Sequence, residues 1–252
     1  MFARYSLLLS ILWLAIPFRI GLGEDMISET QKLIYPLTSD SRFLLSNQNG
    51  SVQIVGEDIN EVRIEATKKA HSQSELAAIR ISVEQKEKAI MIKTIWDNPS
   101  RRRVDSRVEY RISVPRLFAA IEIITANGNV FAKDLDAETS LRSANGAIDA
   151  HDVLGPLTLE SLNGSVSLTQ SQKTSAAKLS TTNGAITLTL PASASVSVNA
   201  QTKVGQIQSD LPETQRRRVN VVGEALRATL GNGANPIQLR TVNGIIRIQT
   251  KG

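Results

Sequence analysis

The chain is predicted to be all-β, a solenoid-like stack of short strands, and three observations predict it. Asn-Gly recurs at positions 127, 145, 163 and 183 with matching flanking residues each time. Aromatic residues make up only 4% of the 252 positions, so the core must be built from Val, Ile, Leu and Ala, which suits thin layered β-structure. Helix signals occur in a single short segment near residues 72–80, and the remainder reads as strand alternation and turns.

The N-terminus reads as an export signal. Arg4 supplies the positive end, an apolar run of about ten residues spans Leu7 to Ile16, and Pro17 breaks it. Gly21-Leu22-Gly23 then places small residues before a cleavage point at Glu24. A membrane-spanning helix needs about 20 apolar residues, and Arg19 interrupts this run too early. Residues 1–23 are therefore expected to be a signal peptide, and the chain to be exported to the periplasm, the cell envelope or the exterior. No later segment is long and apolar enough to form a transmembrane helix.

There is no cysteine, so neither disulfides nor an acylated lipoprotein cysteine can form. The formal charge is +5, and removal of Arg4 and Arg19 with the signal leaves +3. That is too mild to predict a nucleic-acid partner.

Residues 24–42 show no clear period and read as a lead-in segment, followed by one repeat domain over 43–252. Phe43, Leu45, Asn49-Gly50, Val52 and Ile54 open the domain with the spacing of the later repeats. Val62, Ile64 and Ala66 alternate with polar residues, as a half-buried strand does. Ser72 with Glu75 three positions on is a capping-box pair, and Leu76 to Ile79 continue a helix of at most two turns. Ile81 and Val83 return to alternation, Lys86-Glu87-Lys88 is a polar turn, and Ile90, Ile92 and Thr94 form the returning strand. A polar loop over 97–107 carries Arg101, Arg102, Arg103 and Arg107. Val108, Tyr110, Ile112 and Val114 then alternate up to Pro115, which ends the strand.

The repeats follow. Four residues before each Asn stand Ile123, Leu141, Leu159 and Leu179; two before stand Thr125, Ser143, Ser161 and Thr181; three after stand Val130, Ile148, Val166 and Ile186. Asn49-Gly50, Asn243-Gly244 and Val204-Gly205 share this frame, the last with Val in the Asn place, so seven units are in register. Asn232-Gly233 fails the test, with Leu230 two before and Asn235 three after, and reads as an ordinary turn.

Asn and Gly tolerate the left-handed conformation of a tight two-residue turn, and the positions at −4, −2, +3 and +5 fall on one face of the flanking strands. A unit of this length holds two strands of about five or six residues and cannot bury its apolar face alone, so units must stack. Successive hairpins in a meander and coils of a solenoid both satisfy the pattern; equal spacing favours coils.

The run Arg107-Val108-Glu109-Tyr110-Arg111-Ile112-Ser113-Val114-Pro115 leads into Thr125-Ala126-Asn127-Gly128-Asn129-Val130. With the unit Ser143-Ala144-Asn145-Gly146-Ala147-Ile148 and the closing Leu239 to Ile248, it resembles the bacterial β-strand-repeat domains of the "toast-rack", adhesin-labelled group. The resemblance covers roughly residues 43–250. It implies a solenoid-like β-stack on the outer side of the cytoplasmic membrane, with no family catalytic residues to carry over.

Enzyme chemistry finds little purchase. The two histidines, His71 and His151, are 80 residues apart, and His151 and Asp152 are adjacent on a strand and point to opposite faces. His71 is read as solvated. Asp134 and Asp136 are expected to keep a turn wet rather than bind calcium, and no cofactor signature is present. Arg101, Arg102, Arg103 and Arg107, with Trp96 nearby, have two readings: a surface for an anionic envelope polymer, or a solvated loop that guards strand edges. Arg216-Arg217-Arg218 is expected on another polar connection. The expectation is a non-enzymatic envelope protein, a scaffold or adhesin-type binding module for an envelope protein or anionic polymer. The alternative is an envelope-stress sensing or regulatory module acting through a membrane partner.

Overall fold

Alternation with a fixed repeat can close into hairpins or coils, and strand direction decides between them. In the computed structural model, which describes residues 26–36, 39–97, 105–219 and 221–251, the repeat strands pair in parallel, so the chain coils. A meander would pair them antiparallel.

The chain begins with β1 (Ile27–Pro36), then β2 (Arg42–Asn49) and β3 (Val52–Glu57). Next come β4 (Glu61–Ala70), α1 (Gln73–Ala77), β5 (Ile79–Lys86), β6 (Ala89–Trp96) and β7 (Arg107–Pro115). The central coils are β8 (Leu117–Asn127) with β9 (Val130–Lys133), β10 (Asp136–Asn145) with β11 (Ile148–His151), and β12 (Leu157–Asn163) with β13 (Val166–Thr169). They continue as β14 (Ala177–Asn183) with β15 (Ile186–Pro191), and β16 (Val196–Val204) with β17 (Ile207–Ser209). After β18 (Glu213–Arg218) and β19 (Glu224–Leu230), the chain ends with β20 (Asn235–Asn243) and β21 (Ile246–Lys251).

Two sheets face each other. The first runs β1-β4-β7-β3-β9-β11-β13-β15-β21-β17, and the second runs β18-β19-β16-β20-β14-β12-β10-β8-β2-β6-β5. Each in-frame Asn-Gly, and Val204-Gly205 with them, is the corner where the chain leaves the second sheet for the first. The core lies between the sheets as columns: Leu45, Ile123, Leu141, Leu159, Leu179, Leu239 and Ala200 from one, and Val52, Val130, Ile148, Val166, Ile186, Ile246 and Ile207 from the other, all buried. All seven expected units are present, but their order in space is not their order in the chain. The last coil, β20–β21, slots between β14–β15 and β16–β17.

The corners differ from the tight left-handed turns expected. Of the seven in-frame glycines only Gly50 (φ 112°) and Gly205 (φ 141°) have positive φ, and no in-frame Asn does. A corner between facing sheets also reverses the chain, but the strands on its two sides lie in different sheets and are not hydrogen-bonded to each other, so the left-handed conformations of a two-residue hairpin turn are not required there. What requires glycine is the neighbouring coil. A Cβ on Gly128, Gly146, Gly164, Gly184 or Gly244 would sit 1.9–2.2 Å from the carbonyl oxygen of the adjacent in-frame glycine. The left-handed non-glycine residues, Asp134 (φ 55°) and Asp152 (φ 50°), stand at the opposite corner, where a short polar side chain tolerates that conformation.

The corner side chains bind successive coils together. The Nδ2 of Asn127 donates to Asn49 Oδ1, Asn145 to Asn127, Asn163 to Asn145, Asn183 to Asn163 and Asn243 to Asn183, all at 2.8–2.9 Å. The hydroxyls of Ser143, Ser161, Thr181, Thr241 and Thr202 each donate to the in-frame Gly carbonyl of the neighbouring coil, at 2.9–3.1 Å. At Val204, opposite Asn243, the ladder stops.

Residues 24–42 contribute more than a lead-in: Ile27–Pro36 pairs antiparallel with β4 along its whole length. Only Tyr35 is buried, with Leu33 packed beside it, so an edge strand solvated on most positions shows no hydrophobic period. The helix is one turn shorter than its signals suggest. Ser72 Oγ accepts from Glu75 N–H at 3.3 Å, while the Glu75 carboxylate accepts from His71 N–H rather than from the cap residue's own. Ala78 caps it, and Ile79 turns inward as the first residue of β5.

Candidate binding face

Outward residues alternate with the core columns, so the positions three and five before each Asn build a second set of columns on the outer face of the second sheet. In the middle of the stack their charges pair. Arg142 donates to Glu122 and to Glu160, each at 3.1 Å, and Lys178 donates to Glu160 at 3.1 Å, a chain of ion pairs across four strands. Partial burial raises the Glu160 pKa, but the bonds from Lys178 and Arg142 outweigh it and hold the carboxyl below its ordinary range.

Beside this chain lies a shallow groove of about 720 Å³. Its floor includes Ala126, Ala144 and Val242, and its rim includes Ile124 and Leu162, 41% and 57% exposed. A smaller groove over β2, β5 and β6 shares Ser46 and Ile124 with it, so the two run together across the sheet.

Toward the other end the charges change character. One transverse row reads Ser180, Arg240, Gln201, Ala225, Arg217, and the next reads Lys178, Gln238, Asn199, Arg227, Gln215. Among the described side chains of β20, β16, β19 and β18, the outward positions hold Arg240, Lys203, Arg227 and Arg217, all exposed, and no carboxylate. This half of the face is basic. Arg216-Arg217-Arg218, expected on a polar connection, lies instead on β18. An edge strand whose inward Arg216 donates to Ile207 O at 2.9 Å and pairs with Glu224 at 3.0 Å carries no apolar alternation to mark it.

Of the arginines expected to form an anionic-ligand surface, Arg101, Arg102 and Arg103 lie outside the described residues, as does the expected signal peptide over 1–23. Arg107 lies on β7 beside Lys69 of β4. Its Nε donates to Glu109 at 2.9 Å, and Lys69 donates to the same carboxylate at 2.8 Å. Burial raises the Glu109 pKa, and these two hydrogen bonds more than offset it, so the group sits below its usual range. His71, expected to be solvated, is largely covered and pairs through Nε2 with Asp105, because the antiparallel register that sets Lys69 of β4 opposite Arg107 of β7 carries His71 to Asp105 two residues beyond.

His151 ends β11 on the open outer face of the first sheet. Its Nε2 is 3.1 Å from Asp149 Oδ1, two residues back on the same face, and its ring centroid is 5.5 Å from that of Phe131. Asp134 interacts with Arg116 and Lys133. Among the described residues no group of three or more His, Cys, Asp or Glu side chains is placed to hold a metal ion, and no helix is long and apolar enough to cross a membrane.

With two open sheets, parallel in-register coils and one repeated corner, the architecture has a counterpart among known families. The Toastrack DUF4097 family description matches residues 18–249. The chain belongs to this family. Three solved structures align with this Toastrack chain over most of its length. A "putative cell adhesion protein" from Clostridium sporogenes is 16% identical, covers 88% of this chain and 100% of its own, and has a TM-score of 0.47. A "putative adhesin" from Bacteroides fragilis is 13% identical, with coverage of 88% and 97% and a TM-score of 0.35. One from Parabacteroides distasonis is 9% identical, with the same coverages and a TM-score of 0.34. No curated protein is similar enough to match the chain.

Proposed function

We propose that this Toastrack chain is an exported, non-enzymatic binding module of the bacterial cell envelope, and that the outer face of its second sheet is the contact surface. One observation carries the reading: that face combines a shallow groove with exposed Ile124 and Leu162, a self-neutralised charge chain, and a basic half. Parallel coils held by the Asn ladder and glycine packing make a rigid, flat support, which lowers the ordering cost of binding an extended partner. The signal-like residues 1–23 and the adhesin label on members of the group agree with this placement.

The test is retention of envelope fractions on the immobilised chain from Glu24 onward, compared with Leu162→Glu and Ile124→Glu variants. Loss of retention in the variants, with an unchanged unfolding midpoint, supports the face as the contact surface. Unchanged retention overturns it. Recovery of a single stoichiometric membrane signalling protein favours the regulatory alternative. Export is checked separately by the mass of the secreted chain, which should begin at Glu24.

A further inference from the structure

The end of the stack carries a feature that the binding-module reading leaves unused. Val204 occupies the Asn place in β16–β17, the coil at the end of the stack, and is 46% exposed; Val221 and Val222, at the tip joining β18 to β19, are 88% and 55% exposed. Their proximity is built in: Gly205 N–H donates to Val222 O at 3.0 Å, which pins the tip over the corner that Val204 occupies. Glu224, just past the tip, accepts from Ile207 N–H at 2.9 Å and pairs with Arg216 at 3.0 Å, so its charge is compensated and the hairpin is anchored. The connection has the Asn220 and Gly223 that hairpin tips ordinarily carry, yet two adjacent valines stand between them. A pair of β-branched apolar residues held in water there needs a reason.

The same end holds the basic half of the outer face. Arg217 and Arg240 lie outward in one row across β18 and β20, and Arg218 is exposed at the root of the tip. We infer that this end docks on an anionic lipid bilayer, the valines entering the headgroup boundary and the cations lying over the charged headgroups. Apolar side chains flanked by Lys and Arg on one surface are the composition of an interfacial anchor. A soluble polyanion would use the cations alone and gain nothing from three exposed valines; a bilayer uses both.

The experiment is co-sedimentation of residues 24–252, which contain every described strand, with vesicles of phosphatidylcholine alone or mixed with phosphatidylglycerol. Binding is expected only to the anionic vesicles, weakening as salt is raised. Arg217→Gln with Arg240→Gln should weaken it about fivefold per residue. Val221→Asp with Val222→Asp should abolish it, with the far-ultraviolet circular dichroism unchanged. If that variant fails to fold, Val221→Trp replaces it, and its emission should shift to the blue on anionic vesicles only. Four results overturn the inference: no vesicle binding, equal binding to both vesicle types, no emission shift, or binding that ignores the valines and is competed by soluble polyphosphate. A concentration-dependent dimer that the valine substitutions dissolve would instead assign the patch to a second copy. The vesicle assay contains no envelope protein or glycan, so its failure leaves the proposed contact surface standing.

Discussion

Replacing Gly146 with Ala tests why glycine recurs at the corners. The added methyl group would lie 2.1 Å from Gly128 O, 2.5 Å from Gly128 C and 2.9 Å from Ser143 Oγ. Two of these are backbone atoms of the adjacent coil and cannot rotate aside, so the coils must separate. Separation strains three hydrogen bonds: Gly128 N–H to Asn145 O at 3.2 Å, Val130 N–H to Ala147 O at 2.9 Å, and Ser143 Oγ to Gly128 O at 3.0 Å. Overpacking costs about 1–3 kcal/mol, and weakening two or three hydrogen bonds adds about 0.5–1.5 kcal/mol each, so a loss of roughly 3–5 kcal/mol is expected. The control is Gly233→Ala in the β19–β20 connection. Gly233 has φ 73°, but its nearest neighbour would be a Thr229 methyl at 3.2 Å, so the cost is chiefly the left-handed conformation, about 1–2 kcal/mol. Urea unfolding of both variants, with slopes compared to confirm two-state behaviour, gives the difference. If Gly146→Ala costs no more than Gly233→Ala, backbone conformation and not coil approach explains the recurrence.

Other outcomes follow from the same geometry. Leu159→Ala, at a fully buried column position, should cost about 2–5 kcal/mol in urea unfolding. Val204→Asn extends the ladder by one rung opposite Asn243 and should stabilise by up to about 1.5 kcal/mol, whereas Asn163→Ala removes two rungs and should destabilise by a similar amount per bond. Burial pushes the Tyr110 hydroxyl up to about 12, against the opposing hydrogen bond with Thr94. A raised folded pKa contributes stability that is whole below about pH 10 and is lost as pH rises toward 12, about 2–3 kcal/mol in all, so alkaline unfolding curves should flatten in Tyr110→Phe. Glu160 has the opposite sign: its lowered pKa contributes above the ordinary carboxylate range, and that contribution disappears as pH falls through the lowered value. Acid unfolding should therefore lose part of its slope in Glu160→Gln and in high salt.

The repeat frame, the core columns and the corner positions were legible in the sequence, because alternation with period two and a fixed unit length are local properties of the chain. Leu141 faces inward in any arrangement that buries its column, whether hairpin or coil. The reason for each corner residue was not legible: Asn163 and Gly164 serve the neighbouring coil, and a residue's own dihedral preferences do not reveal what packs beside it. Nor was the outer face. Arg217 and Arg240 share a row only because β20 inserts between β14 and β16 and β19 folds back beside β16. Coils with the same columns can stack in more than one order, and pairing between distant strands chooses among them. The sequence by itself determined that this chain builds seven alike units in one frame. Only the tertiary structure decided that they coil and in what order, and with it that Val204, Val221, Val222, Arg217 and Arg240 meet at one end.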